Sequence, residues 1–129
     1  MATPLWKKIG YKSGFDALII NAPDSYFDWV HPLPENVNFG KSCDLDLIHL
    51  FTNSIEELEL GLIKYRKMIK QHGMIWVSWY KKASKMPTEI NEDIIRDTAL
   101  AIDLVDVKVC SVNAQWSGLK IVIPLKMRK

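Results

Sequence analysis

The sequence predicts an α/β fold: a three-layer sandwich with helices on both faces of a mostly parallel sheet of about five or six strands. Residues 17–20 form an apolar run without alternation, which is typical of a strand covered on both faces. Residues 45–80 read as strand, helix and strand, a right-handed crossover between parallel strands. Residues 107–112 and 119–123 are two strands with a connection too short for a parallel return. The sheet therefore ends in an antiparallel hairpin.

The first third of the chain predicts two short helices before the middle of the sheet. Residues 4–12 are amphipathic, and residues 23–30 form a second helix with Pro23 in its first turn. That helix stops at residues 31–34, His-Pro-Leu-Pro, because a residue before proline avoids the helical region. Residues 36–39 are predicted to form a brief strand.

The clearest helix signal follows the strand at residues 45–52. Ser54 and Glu57 have the spacing of a capping box, in which each side chain accepts from the other residue's amide. Apolar residues then recur with helical period over about five turns, and Gly73 is expected to end the helix. Residues 74–80 form the next strand. Thr88 or Asn91 caps a last helix, which the hairpin follows.

Composition is that of a globular protein with one domain over residues 1–129. Apolar residues make up 48% and charged residues 25%, which excludes a disordered or fibrous chain. No apolar run approaches the roughly 20 residues that a membrane span needs, and residues 1–10 have no secretory signal pattern. Cys43 and Cys110 are expected to be reduced, so we expect a cytoplasmic protein.

Charge alternates along the chain, although the net charge is only +2. Residues 1–12, 60–88 and 108–129 contain no acids, whereas residues 13–59 and 89–107 are strongly acidic. Such blocks indicate either solvated faces that complement one another or a face that binds anions.

Three stretches resemble the Rossmann-like fold of S-adenosylmethionine-dependent methyltransferases. Residues 10–14 (Gly-Tyr-Lys-Ser-Gly) resemble the lead-in to the first strand, and residues 44–48 (Asp-Leu-Asp-Leu-Ile) resemble the strand in the middle of the sheet. Residues 68–78 (Met-Ile-Lys-Gln-His-Gly-Met-Ile-Trp-Val-Ser) resemble the run into the next strand. The chain also resembles a small bacterial domain family of unknown function, through residues 76–79, 104–110 and 116–120. That second resemblance implies a fold and no activity.

Departures from the methyltransferase pattern concern the cofactor. The turn after the first strand is residues 21–24, Asn-Ala-Pro-Asp, where the family has glycines. Only 23 residues, 22–44, separate that strand from the next, so a half-repeat is missing together with its ribose-binding acid. We therefore expect a truncated domain without a cofactor, with S-adenosylmethionine as the alternative.

Ligands of an open parallel sheet bind outside the carboxyl ends of its strands. The candidate ligand-binding residues at that rim are Asn21, Asp24, Thr52, Ser78, Trp79, Tyr80, Lys81 and Lys82. The competing interpretation is that the two aromatic residues pack the edge of the core while the lysines are solvated. No catalytic motif is present, and the three histidines have no metal-ligand spacing.

The leading hypothesis is a non-catalytic methyltransferase-like module that binds a small ligand or a protein partner. The alternatives are a compact S-adenosylmethionine-dependent methyltransferase and a nucleic-acid-binding protein. The last would use residues 60–88, with Trp76, Trp79 and Tyr80 stacking on bases. No membrane partner is expected, and nucleic acid is disfavoured.

Truncation also predicts an open sheet edge beside the first strand. The short helix at residues 23–30 and the loop at residues 31–39, with Trp29, Leu33 and Phe39, could fold over that edge. The other possible cover is a second copy of the chain, so we predict a homodimer through this edge or through the hairpin around Trp116.

Overall fold

The computed structural model describes residues 3–128, and its centre is one five-stranded sheet of mixed direction. The strands are β1 (Ala17–Ile20), β2 (Leu45–Phe51), β3 (Ile69–Tyr80), β4 (Val105–Ser111) and β5 (Trp116–Val122). Their spatial order is β1-β2-β3-β5-β4, with β1, β2 and β3 parallel and the β4–β5 hairpin antiparallel. This arrangement confirms the predicted sheet and its terminal hairpin.

Helices form the outer two layers of the sandwich. They are α1 (Leu5–Ile9), α2 (Tyr26–Trp29), α3 (Ile55–Tyr65) and α4 (Glu92–Leu100), with 3-10 turns at Lys82–Ser84 and Leu125–Met127. The short helices α1 and α2 pack on one face of the sheet, and α3 and α4 pack on the other. Among residues 3–128, no helix is long and apolar enough to cross a membrane.

Strand β2 lies between two hydrophobic cores, and all seven of its residues are buried. Leu47 and Phe51 belong to the core beneath α1 and α2, whereas Ile48 belongs to the core beneath α3 and α4. Successive side chains of a strand point to opposite faces, so a continuous apolar run serves both cores. This explains why the strand shows no alternation in sequence.

The start of α3 differs from the predicted capping box in one contact. Ser54 Oγ accepts the Glu57 amide at 3.3 Å, as predicted. The Ser54 amide, however, donates to Thr52 Oγ1 at 3.2 Å, which leaves the Glu57 carboxylate available for other partners. At α4, Asn91 is the cap, and its Oδ1 accepts the Ile94 amide at 2.9 Å.

The predicted five-turn helix and its glycine stop are wrong. Helix α3 ends at Tyr65, and Gly73 lies inside β3, which begins at Ile69. A Cβ at Gly73 would lie 2.8 Å from the carbonyl oxygen of Leu45, so the glycine permits close approach of two backbones. Parallel pairing of Ile69 with Leu45 overrides the helical spacing of the apolar residues here.

The outer edge of β1 is covered along its first part by the loop before β2. The Ala17 amide donates to the Asn38 carbonyl, and the Asn38 amide donates to the Phe15 carbonyl, both at 2.8 Å. The predicted strand at residues 36–39 is thus a single parallel bridge between Asp16 and Asn38. The loop covers the edge as expected, with Trp29, Leu33 and Phe39 packed half-buried against the core. Within the described residues, the backbone of Ile19 has no partner on that outer side.

Helix α3 offers a matched test of the core. Leu62 is 0% exposed and Leu60 is 62% exposed on the same helix. We expect Leu62→Ala to lower the free energy of unfolding by about 2–5 kcal/mol, because it removes buried methyl groups and leaves a cavity. Leu60→Ala should change the free energy of unfolding of the monomer by less than about 0.5 kcal/mol, at protein concentrations low enough to keep the chain monomeric. Urea denaturation followed by circular dichroism measures both, and equal effects would contradict the assignment of the buried face.

Candidate functional site

A groove of about 500 Å³ lies at the carboxyl end of β1, the position at which open α/β sheets bind ligands. It is lined by Leu18, Ile19, Asn21, Ala22, Pro23, Asp24, Tyr26, Phe27 and Phe39. Two of the residues predicted from the sequence, Asn21 and Asp24, are therefore brought together in one concave site. The volume is within the range of small-ligand sites.

The turn after β1 has an unusual backbone at its first residue. Asn21 has a φ of 59°, in the left-handed region that glycine adopts most easily and asparagine tolerates. The turn thus contains a residue in the left-handed conformation although it has no glycine. Pro23 contributes no amide hydrogen to the groove, so fewer backbone donors face a ligand here than in a glycine-rich turn.

The carboxylate of Glu57 joins the ends of β1 and β2. Glu57 Oε2 accepts from Asn21 Nδ2 at 3.4 Å and from Thr52 Oγ1 at 3.3 Å. Thr52 is buried and its hydroxyl is already hydrogen-bonded. Contrary to the prediction, it does not line the groove. Sequence reasoning missed Glu57 as a site residue because the capping-box pattern assigned its carboxylate to the Ser54 amide.

Two aromatic side chains form the wall of the groove opposite the polar turn. Phe27 is 52% exposed, and its ring meets that of Phe39 edge-on, with centroids 5.3 Å apart. Sequence reasoning treated Phe39 as cover for the sheet edge and gave Phe27 no role. The sequence did contain a signal for Phe27: two adjacent aromatic residues on a short helix cannot both face the sheet, so one of them must face outward.

Three predicted rim residues at the end of β3 do not face a common site. Ser78 is 0% exposed on the α1/α2 side, and Trp79 is 7% exposed and packed beneath α3 and α4. Tyr80 is half-buried, and its ring centroid lies 4.3 Å from that of Trp116. Trp79 points to the face opposite Ser78 and Tyr80, because consecutive side chains of a strand point to opposite faces, so the three side chains do not converge.

The two lysines after β3 also lie outside the groove. Lys81 Nζ donates to Ser111 Oγ at 2.5 Å, and the Lys81 amide donates to the Gln115 carbonyl at 2.7 Å. Lys82 is exposed and begins a 3-10 turn. Neither lysine lines the groove at the end of β1.

A buried chain of hydrogen bonds lies beneath α1 and α2. Tyr11 Oη is 2.6 Å from Tyr26 Oη, Tyr26 Oη is 2.9 Å from His49 Nδ1, and His49 Nε2 is 2.7 Å from Ser78 Oγ. Each hydroxyl can both donate and accept, so a neutral imidazole satisfies every group in the chain. A Cβ at Gly118 would lie 3.2 Å from Ser78 Oγ, so this glycine leaves room for the serine.

Burial controls the protonation of this chain. It lowers the pKa of His49 to about 3, because the imidazole has no solvent to stabilise a positive charge. Burial likewise raises the pKa of Tyr11 and of Tyr26 above the ordinary tyrosine value. All three groups are thus neutral near pH 7 and act as hydrogen-bonding groups rather than charges.

Metal-ligating and thiol groups are dispersed. Among residues 3–128, no group of three or more His, Cys, Asp or Glu side chains could hold a metal ion. Cys43 is exposed, Cys110 is half-buried, and both are free thiols. Burial raises the pKa of the Cys110 thiol, which disfavours the nucleophilic thiolate.

Comparison with solved structures identifies the fold. The chain superposes on an S-adenosylmethionine-dependent methyltransferase from Aquifex aeolicus with a TM-score of 0.62 and 13% identity, covering 92% of this chain and 87% of that one. It superposes on a DhpI–SAH complex with a TM-score of 0.61 and 9% identity, covering 95% and 83%. A methyltransferase from Bacteroides fragilis in complex with S-adenosyl-L-homocysteine gives a TM-score of 0.59 and 9% identity, covering 97% and 78%.

These likenesses confirm the predicted Rossmann-like, methyltransferase-like fold. The sequence matches no protein-family model and no curated protein. The expectation that the chain takes no cofactor is corrected, because two of these three solved structures are S-adenosylmethionine-dependent methyltransferases and two of the three are complexes with S-adenosylhomocysteine (SAH).

The buried histidine predicts a specific acid sensitivity. The folded state keeps His49 neutral down to about pH 3, whereas the unfolded chain protonates it below about pH 6.5. Lowering the pH between these values therefore favours unfolding, by up to about 1.4 kcal/mol per pH unit. We expect His49→Gln to remove this slope from urea denaturation measured between pH 7 and pH 5. His72→Gln, at an exposed histidine, should retain it, and an unchanged slope in His49→Gln would contradict the assignment.

Proposed function

We propose that this chain is a compact methyltransferase-like domain that binds S-adenosylmethionine in the groove at the end of β1. The observation that carries the proposal is the position of the groove. It lies where the first strand of the sheet ends, and Asn21 and Asp24 project from the turn that follows that strand. The methyltransferase-like fold supports the same ligand class.

The donor set of the groove fits the chemistry of this ligand. S-adenosylmethionine carries an ammonium group, a sulfonium cation and two ribose hydroxyls, and all of these interact favourably with a carboxylate such as that of Asp24. The Asn21 amide can donate to the ligand's own carboxylate. Phe27 and Phe39 provide the apolar surface that a purine requires. When bound, the ligand would supply an activated methyl group.

The left-handed conformation of Asn21 supports the proposal that the turn after β1 accommodates the ligand. The positive φ at this residue turns the backbone sharply after β1, although the turn has no glycine. The missing half-repeat leaves the groove bounded on its outer side by α2 and the loop carrying Phe39 rather than by further strands. We therefore expect a shallow site that holds its ligand weakly.

Isothermal titration calorimetry tests ligand binding. We expect the wild-type chain to bind S-adenosylmethionine and S-adenosylhomocysteine, and Asp24→Asn to weaken binding at least tenfold because it removes the only carboxylate that lines the groove among the described residues. Asp28→Asn is the matched control, since Asp28 is exposed on α2 and does not line the groove. Absence of binding at millimolar ligand, or equal losses in both variants, would contradict the proposal.

A second candidate function is ligand binding without methyl transfer. It is favoured by one observation: Thr52 and Ser78, near the ends of β2 and β3, are buried and bonded within the protein. Few polar side chains therefore remain beside the groove to activate a methyl acceptor. Incubation with S-adenosylmethionine carrying a labelled methyl group separates the candidates, because only the methyltransferase transfers label to an acceptor.

We also propose that the chain forms a homodimer through the truncated side of the sheet. Leu60 on α3 is 62% exposed, and it lines the same cavity as the half-buried Ile20 of the edge strand. The alternative interface around Trp116 is less suitable, because that side chain is only 7% exposed and packs on Phe51. A second copy is the simplest cover for an apolar face of this kind.

Light scattering coupled to size-exclusion chromatography tests the dimer. We expect twice the monomer mass of 14.9 kDa at tens of micromolar protein, and the monomer mass for Leu60→Glu. Glu59→Gln, a change at the neighbouring exposed position, should remain dimeric. A wild-type protein with the monomer mass would refute the proposal.

A further inference from the structure

The lysines of three acid-free segments meet on one surface of the fold. Strand register places Lys108 of β4 directly opposite Lys120 of β5. Lys120 is also paired with Trp76, whose Nε1 donates to the carbonyl of Ile9 at 2.7 Å, so Lys120 lies on the α1 face of the sheet. There, burial and the positive charges of Lys108 and Lys12 lower the pKa of Lys120. Lys81 Nζ donates to Ser111 Oγ on β4 at 2.5 Å, and the charges of Lys8, Lys81 and Lys108 act on the neighbouring Cys110 thiol. We call Lys8, Lys12, Lys81, Lys108 and Lys120 the basic surface.

In the part of the chain that the structure describes, none of the five lysines of the basic surface forms an ion pair. Within residues 3–128, every ion pair involves Lys41, Lys70 or Arg96. The segments that supply the five lysines, residues 1–12, 60–88 and 108–129, contain no Asp or Glu. Two like charges at directly opposed strand positions destabilise a sheet. Such a cluster therefore favours an external anion.

This surface is different from the basic stretch that the sequence singled out. Residues 60–88 do not form one patch, because β3 separates the lysines at the end of α3 from those after residue 80. Lys70, at the start of β3, is paired with Asp46 at 3.1 Å. Trp76 and Trp79, which the nucleic-acid alternative assigned to base stacking, are 0% and 7% exposed. Base stacking by these residues is therefore excluded.

The extent of the basic surface indicates the shape of its ligand. Lys120 is paired with Trp76, and Lys81 lies five residues after Trp76, just past the end of β3, which corresponds to roughly 16 Å at 3.3 Å per residue. This length spans several successive phosphates of a nucleic-acid strand. None of the five cavities described in the structure is lined by these lysines, so the surface suits an extended ligand better than an enclosed one.

We propose that the basic surface binds the phosphodiester backbone of a nucleic acid without reading its sequence. The lysines supply point charges that contact phosphates, and no exposed aromatic side chain is among them to stack on a base. The interaction is separate from the groove at the end of β1, so it does not depend on S-adenosylmethionine binding. Affinity should fall steeply with salt, because each phosphate contact releases a counterion.

Fluorescence anisotropy with a labelled 20-nucleotide single-stranded RNA, measured from 25 to 200 mM salt, tests the proposal. We expect Lys108→Gln/Lys120→Gln to weaken binding at least tenfold and to reduce the salt slope by about 1.4, since each phosphate contact to a single strand contributes about 0.7. Lys64→Gln/Lys67→Gln is the matched control, since it removes the same charge from exposed positions of the α3 side. The control should bind within about twofold of wild type.

Other results would overturn the proposal. These are the absence of RNA binding at 25 mM salt, or equal losses in the two double variants. Full competition by equimolar tripolyphosphate would assign the surface to a small phosphate ligand instead. Binding to vesicles containing phosphatidylserine, without RNA binding, would assign it to a membrane. Thermal unfolding checks that the variants fold, and the variant at the opposed lysines should melt no lower than wild type, because it relieves a like-charge contact.

Discussion

The buried hydrogen-bond chain from Tyr11 to Ser78 holds one whole layer of the sandwich to the sheet. Helices α1 and α2 have only five and four residues, and helices so short do not form on their own in water. These hydrogen bonds connect Tyr11, which follows α1, and Tyr26 of α2 to His49 in β2, an interior strand of the sheet. Trp76 Nε1 adds a further bond of 2.7 Å to the carbonyl of Ile9. Because leaving a buried partner unsatisfied costs about 1–3 kcal/mol, losing one member weakens the attachment of the layer.

Removal of a half-repeat explains the unusual features of β1. A strand that is interior in a complete sheet stands here at the edge, although its residues remain those of an interior strand. The loop carrying Asn38 and Phe39 covers the beginning of this edge, and the groove occupies its end. The same truncation thus produces both the candidate ligand site and the exposed apolar side of α3. A small domain of this kind can retain a site in the place where the full fold has one while presenting a different outer wall.

The sequence was sufficient to predict the order and direction of the main strands, because continuous apolar runs and short connections constrain them strongly. It was insufficient for Gly73, where apolar residues at helical spacing belong to a strand whose pairing with β2 decides the structure. It placed Asn21 and Asp24 at the site, since both follow a recognisable strand directly. It did not find Glu57, Phe27 or His49, because their roles depend on contacts between residues distant along the chain. Local patterns carry no information about such contacts.

The helices of the two layers differ in length, and this difference affects how easily each layer opens locally. Both layers pack on the sheet through apolar cores, but α1 and α2 have only five and four residues, whereas α3 and α4 have eleven and nine. Regions with little helical structure of their own open at lower free energy than the global unfolding transition. The amides of the α1 and α2 layer would therefore exchange with solvent before those of β2 and β3. Phe27 lies in α2 and Asp24 lies just before it. Local opening of the α1 and α2 layer would therefore change the width of the groove, so the ligand site would fluctuate with that layer.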